Sequence, residues 1–114
     1  MRGVRFVPAE AAPDTFCDVL RQGGLACGGG GDGGRPIADF LKVDVDGCDC
    51  HLAAAAVSAL RPLILWMEIN MSVPPPLRFA RQCHPDWLPE WSRWNSGGVQ
   101  LATFGCSLSA AIAE

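Results

Sequence analysis

The chain has 114 residues, the size of one domain or part of one. Hydrophobic residues make up 49% and charged residues 18%, which supplies a packed core and argues against disorder. A net charge of -3, a pI of about 5.2 and no basic stripe argue against a nucleic-acid partner.

The N-terminus, Met1 to Pro8, lacks the apolar core and small-residue cleavage site of a secretory leader. The most apolar run, Leu52 to Met67, is broken by Arg61-Pro62 and is shorter than the ~20 residues a bilayer span needs. These features predict a cytoplasmic protein with no membrane partner. Cysteines stand at 17, 27, 48, 50, 83 and 106, and without a secretory context they are expected as reduced thiols.

In chain order, Val4 to Val7 is a short strand candidate ended by Pro8. A helix follows from Pro13, with Phe16, Cys17, Val19 and Leu20 on one broad face, and Gly23-Gly24 stop it. Cys27 to Gly34 is mostly glycine and reads as a flexible surface loop. A phosphate-binding loop should follow a strand and open a helix, whereas this one follows a helix and precedes a strand.

Ile37 to Val45 is the strongest strand, β-prone and apolar enough to be buried on both faces. Asp46-Gly47 ends it, and Asp49 is placed to cap an alanine-rich helix from His51 to Leu60, which Arg61-Pro62 stops. Leu63 to Ile69 is a second buried strand, so the two strands should be parallel neighbours in a right-handed βαβ unit. Val73-Pro74-Pro75-Pro76-Leu77 reads as rigid and extended. Residues 82–98 carry Trp87, Trp91 and Trp94 in an ordered loop or lid, where core packing is favoured over an exposed partner patch. Val99 to Phe104 is a further short strand and Ser107 to Glu114 a helix.

Chemistry concentrates at the strand ends. Asp44 and Asp46 are two apart near the end of one strand, and Glu68 and Asn70 repeat that spacing near the end of the next. Residues two apart on a strand share a side, and open α/β sheets bind ligands outside the carboxyl ends of their strands. Four oxygen-bearing side chains are thus expected at one edge, suited to Mg²⁺ held by Asp44, Asp46 and Glu68, or to a substrate hydroxyl. The plainer reading makes Asp46-Gly47 a turn signal and Asp49 a helix cap. It accounts poorly for Asp44 and Glu68, which it leaves as carboxylates inside buried strands.

Asp39 to Asp49 (Asp-Phe-Leu-Lys-Val-Asp-Val-Asp-Gly-Cys-Asp), Arg61-Pro62, Leu-Trp-Met-Glu68-Ile-Asn70 and Val-Pro-Pro-Pro76 together resemble FkbM-related methyltransferases and their methyltransferase-like relatives. The resemblance covers about residues 39–80. It implies a truncated α/β domain over residues 1–114, a partial Rossmann-like parallel sheet of the methyltransferase type with helices packed on it. Loops at 23–36 and 71–98 interrupt it. It also implies S-adenosylmethionine as cofactor, a small-molecule or glycan acceptor, and Asp44 and Asp46 as catalytic residues with Glu68 and Asn70 beside them. The family's glycine-rich cofactor loop follows its first strand and is not identifiable here, so a fragment or divergent remnant is expected. Two alternatives stand beside it. One is a non-catalytic binding or scaffold module. The other is a small zinc-stabilised domain using Cys48, Cys50, His51, Cys83 and His84. A βαβ unit with half its sheet missing is expected to self-associate through exposed strand edges.

Overall fold

A computed structural model describes residues 4–28, 34–45, 47–80, 83 and 105–113. The elements run α1 (Phe16–Gln22), β1 (Ile37–Val43), α2 (Asp49–Ala59), β2 (Arg61–Met67) and α3 (Leu108–Ala113). The protein is a small α/β domain whose two described strands pair in parallel. No helix among the described residues is long and apolar enough to cross a membrane.

The chain divides into two compact units, one of Met1–Val43 with Leu52–Met67, the other of Asp44–His51 with Glu68–Glu114. In the first unit, α1 begins after Thr15 and ends at Gly23, where the N–H of Gly23 bonds to Val19 O and that of Gly24 to Arg21 O. Gly24, at φ +76°, takes the left-handed conformation that lets the chain turn away. Cys17 on α1 is bonded to Cys27, which ties the helix to the chain that follows it. Val4 to Val7 forms no strand. Its alternation is too short to hold a strand without a neighbour to pair with.

β1 and β2 pair from Ile37↔Arg61 to Val43↔Met67. Arg61 N–H also donates to Pro36 O, so the pairing begins just before the strands do. β2 therefore starts two residues earlier than the sequence pattern predicts. Arg61-Pro62 both stops α2 and opens the strand, and a proline is tolerated in the first residues of a strand because the missing N–H costs little there. α2 likewise begins two residues earlier than expected. Its Leu52, Ala53, Ala56 and Ala59 are buried and, with Phe16, Val43 and Leu60, make the apolar core of this unit. Gly28 N–H to Ala59 O, and an Arg35 guanidinium bond to Val57 O, attach the preceding loop to the end of α2.

The strands are not buried on both faces as expected. Phe40, Ile64 and Trp66 are 57%, 58% and 47% exposed, and Leu63 and Leu65 are exposed as well. With only two strands described, each is an edge and much of the sheet is uncovered. Side chains alternate across a sheet, so Phe40, Lys42, Ile64 and Trp66 share one face, where the Lys42 ammonium lies 4.6 Å from the Trp66 ring centroid.

The second unit is organised by Cys106 and Ser107, both fully buried. Cys106 O accepts the N–H of Asn70, Cys106 forms an antiparallel bridge with Ala80, and Ser107 N–H donates to Phe79 O. The Ser107 hydroxyl donates to Leu77 O, accepts from Phe79 N–H, and accepts from Ala110 N–H at the start of α3. That last bond is an N-cap. Val73 to Leu77 turns instead of running straight: Leu77 N–H bonds to Pro74 O around a cis Pro75-Pro76 peptide. The expected strand Val99 to Phe104 and the tryptophans at 87, 91 and 94 lie outside the described residues.

All six cysteines are paired, as Cys17–Cys27, Cys48–Cys83 and Cys50–Cys106. The expectation of reduced thiols is corrected, and the zinc alternative goes with it. A cysteine binds zinc as its thiolate, and the sulfurs of Cys48, Cys50 and Cys83 are each spent in a covalent S–S bond. His84 lies outside the described residues.

Candidate functional site

The carboxyl ends of β1 and β2 stand level, because Val43 and Met67 are register partners in a parallel pair. Asp44 and Glu68 are the next residues on each chain and belong, with Asn70, to the second unit. The two acidic residues therefore leave the sheet from equivalent positions. Both are exposed. The strands end one residue before each of them, so neither is a carboxylate buried in a strand. The desolvation argument against a merely structural role for them does not hold. Asp46 lies outside the described residues.

Asn70 is half-buried and tied to the fold. Its side-chain oxygen accepts Ser72 N–H at 2.9 Å, an Asx turn, while its own N–H donates to Cys106 O at 2.8 Å. This anchors the chain beyond Glu68 to the buried Cys106.

The turn after Asp44 is set by a residue that sequence reasoning cast only as a helix cap. Asp49 is 1% exposed, and its carboxylate accepts Val45 N–H at 3.2 Å and Gly47 N–H at 3.1 Å. A buried carboxylate is tolerated when such donors satisfy it. Gly47 sits at φ +121°, a conformation a side chain would oppose. The spacing Asp46-Gly47-Cys48-Asp49 carries this signal: a glycine followed two residues later by a carboxylate that reaches back to its N–H. On either side of Asp49, Cys48 and Cys50 bond to Cys83 and Cys106. Hydrogen bonds and covalent cross-links thus hold the base of the turn that displays Asp44.

Among the described residues, no three or more His, Cys, Asp or Glu side chains are grouped to hold a metal ion. In the turn after β1, the Val45 and Gly47 N–H groups are both taken by Asp49. Those two N–H groups are therefore not available to a ligand at the edge, and no step is derived through a methyl donor. The edge can accept hydrogen bonds from a hydroxyl or amine through Asp44 and Glu68, and it carries negative charge toward solvent.

Compared with protein-family models, curated proteins and solved structures, the chain matches none significantly.

Proposed function

We propose that the chain is the acceptor-side part of a methyltransferase-like α/β domain, and that it binds a hydroxyl-bearing small molecule or glycan at the edge marked by Asp44 and Glu68. The observation that carries this reading is the parallel register ending in Val43↔Met67, which brings two acidic residues level at the carboxyl ends of neighbouring strands. Binding at that edge is the general rule for open parallel α/β sheets. The ordered motifs from Asp39 to Pro76 supply the methyltransferase resemblance, and with it S-adenosylmethionine as the donor of a complete domain. In this reading Asp44 orients the acceptor or takes its proton, Asp46 assists, and Glu68 and Asn70 border the edge.

A second reading, a non-catalytic binding module, is favoured by one observation. The Val45 and Gly47 N–H groups beside Asp44 are committed to Asp49, so they are not donors that could stabilise charge developing on a transferred group at the edge. The chain then recognises the acceptor without transferring a group to it. Three disulfides also favour an oxidising compartment over the cytoplasm.

Two measurements on the 114-residue chain separate these readings. Transfer of labelled methyl from S-adenosylmethionine to a panel of polyols and glycans supports the enzyme. Saturable acceptor binding without transfer, lost in Asp44→Ala, supports the module. Acceptor binding that survives both Asp44→Ala and Glu68→Ala removes the edge from either reading. Titration with Mg²⁺ tests the metal at Asp44, Asp46 and Glu68, and equal heats from wild type and Asp44→Ala exclude it.

A further inference from the structure

The two disulfides of the second unit differ in how far water and solutes reach them. Cys50 is 4% and Cys106 0% exposed, whereas Cys48 and Cys83 are both half-buried. Cys48 and Cys50 are separated only by Asp49, so one short segment carries both bonds. Thiol–disulfide exchange requires a thiolate to approach a sulfur in line, so access governs which bond opens.

We propose that Cys48–Cys83 is a redox-sensitive latch: a dithiol reductant opens it while Cys50–Cys106 stays closed. One thiolate of the reductant attacks a sulfur of the Cys48–Cys83 bond, forming a mixed disulfide and releasing the other cysteine as a thiolate. The second thiol of the reductant then closes on the first. The reductant leaves as a cyclic disulfide, and Cys48 and Cys83 are left as two thiols, having gained two electrons and two protons between them. Two other features of the unit do not depend on the opened bond. Asp49 keeps the N–H groups of Val45 and Gly47, and Cys106 keeps Cys50, Ala80 and Asn70. Opening the latch therefore frees Cys83 from the turn beside Asp44 without dissolving the turn or the buried centre.

The test uses the full oxidised chain, limiting dithiothreitol, quenching with iodoacetamide at successive times, and peptide mapping by mass spectrometry. The expected result is an intermediate alkylated at Cys48 and Cys83 with Cys50–Cys106 intact, formed on the order of tenfold faster than alkylation at Cys50 or Cys106. Simultaneous opening of both bonds, or earlier opening of Cys50–Cys106, overturns the proposal. A double variant, Cys48→Ser with Cys83→Ser, checks the same point without reductant. It is expected to oxidise to Cys17–Cys27 and Cys50–Cys106 alone, and pairing of Cys50 with any other cysteine overturns the proposal.

Discussion

The buried carboxylate of Asp49 accepts the backbone N–H of Gly47 at 3.1 Å, and with it fixes the turn that leads out of Asp44. Removing that carboxylate strands two donors, on Val45 and Gly47, in a site where water is scarce. Asp49→Ala is expected to destabilise the chain by about 3 kcal/mol. Asp49→Asn keeps one acceptor oxygen and should cost about half as much. Urea unfolding followed by circular dichroism measures both, and a loss in Asp49→Ala no larger than that of a surface substitution means that Asp49 does not organise the turn.

Ser107 carries three hydrogen bonds through one hydroxyl, to Leu77, Phe79 and Ala110. Ser107→Ala is expected to lower stability by about 2 kcal/mol, combining a lost N-cap with an orphaned buried amide. The helical signal of α3 should fray first. Amide exchange at Phe79 and Ala110 accelerating together in the variant is the specific signature.

Asp44 and Glu68 lie outside the strands and are exposed, and an amide isostere keeps an oxygen acceptor at each position, so such isosteres there should leave the fold alone. Asp44→Asn and Glu68→Gln are expected to unfold within about 0.5 kcal/mol of wild type. Any loss of acceptor binding in these variants then reports on the edge itself. A large stability loss in either one would instead show that the carboxylate has a structural task.

The apolar face of the strand pair predicts association. Phe40, Ile64 and Trp66 lie on one side of the sheet and are about half exposed. Apolar surface of this kind on paired edge strands draws chains together. The oxidised chain is expected to elute larger than a monomer in sizing chromatography, and Ile64→Lys to shift it toward the monomer. A sharp monomer peak for wild type, with cooperative melting, contradicts this.

Much of the fold was legible in local pattern. The β-prone run around Phe40 and Val43 marks β1, the alanine run marks α2, and the parallel pairing follows from the short links between strand, helix and strand. The displaced start of β2 has a physical cause: Pro62 sends two messages, ending a helix and opening a strand, and only the first was read. Cysteine pairing was not legible, because six cysteines allow 15 connectivities and the spacing chooses none of them. At the candidate edge, the sequence pattern sets Asp44 and Glu68 inside buried strands, whereas β1 and β2 end one residue before each of them and both are exposed. Asp49 was misjudged because its partners, Val45 and Gly47, precede it, so its carboxylate reaches back into the turn instead of forward into the helix.

The hydrogen bonds of Cys106 and Ser107 to Asn70, Leu77 and Phe79 join positions roughly thirty residues apart along the chain, and the bond to Cys50 joins positions 56 apart. During synthesis on the ribosome, none of these contacts exists until residue 107 has emerged from the exit tunnel. The β1–α2–β2 segment is complete well before then, since its partners lie close in sequence. Until then the Asn70 and Phe79 backbone groups await these partners, while every partner in the β1–β2 pairing, from Pro36 to Met67, has already been synthesised. In an oxidising environment, Cys48 and Cys50 would at that stage have only one another, upstream cysteines or Cys83 as pairing partners.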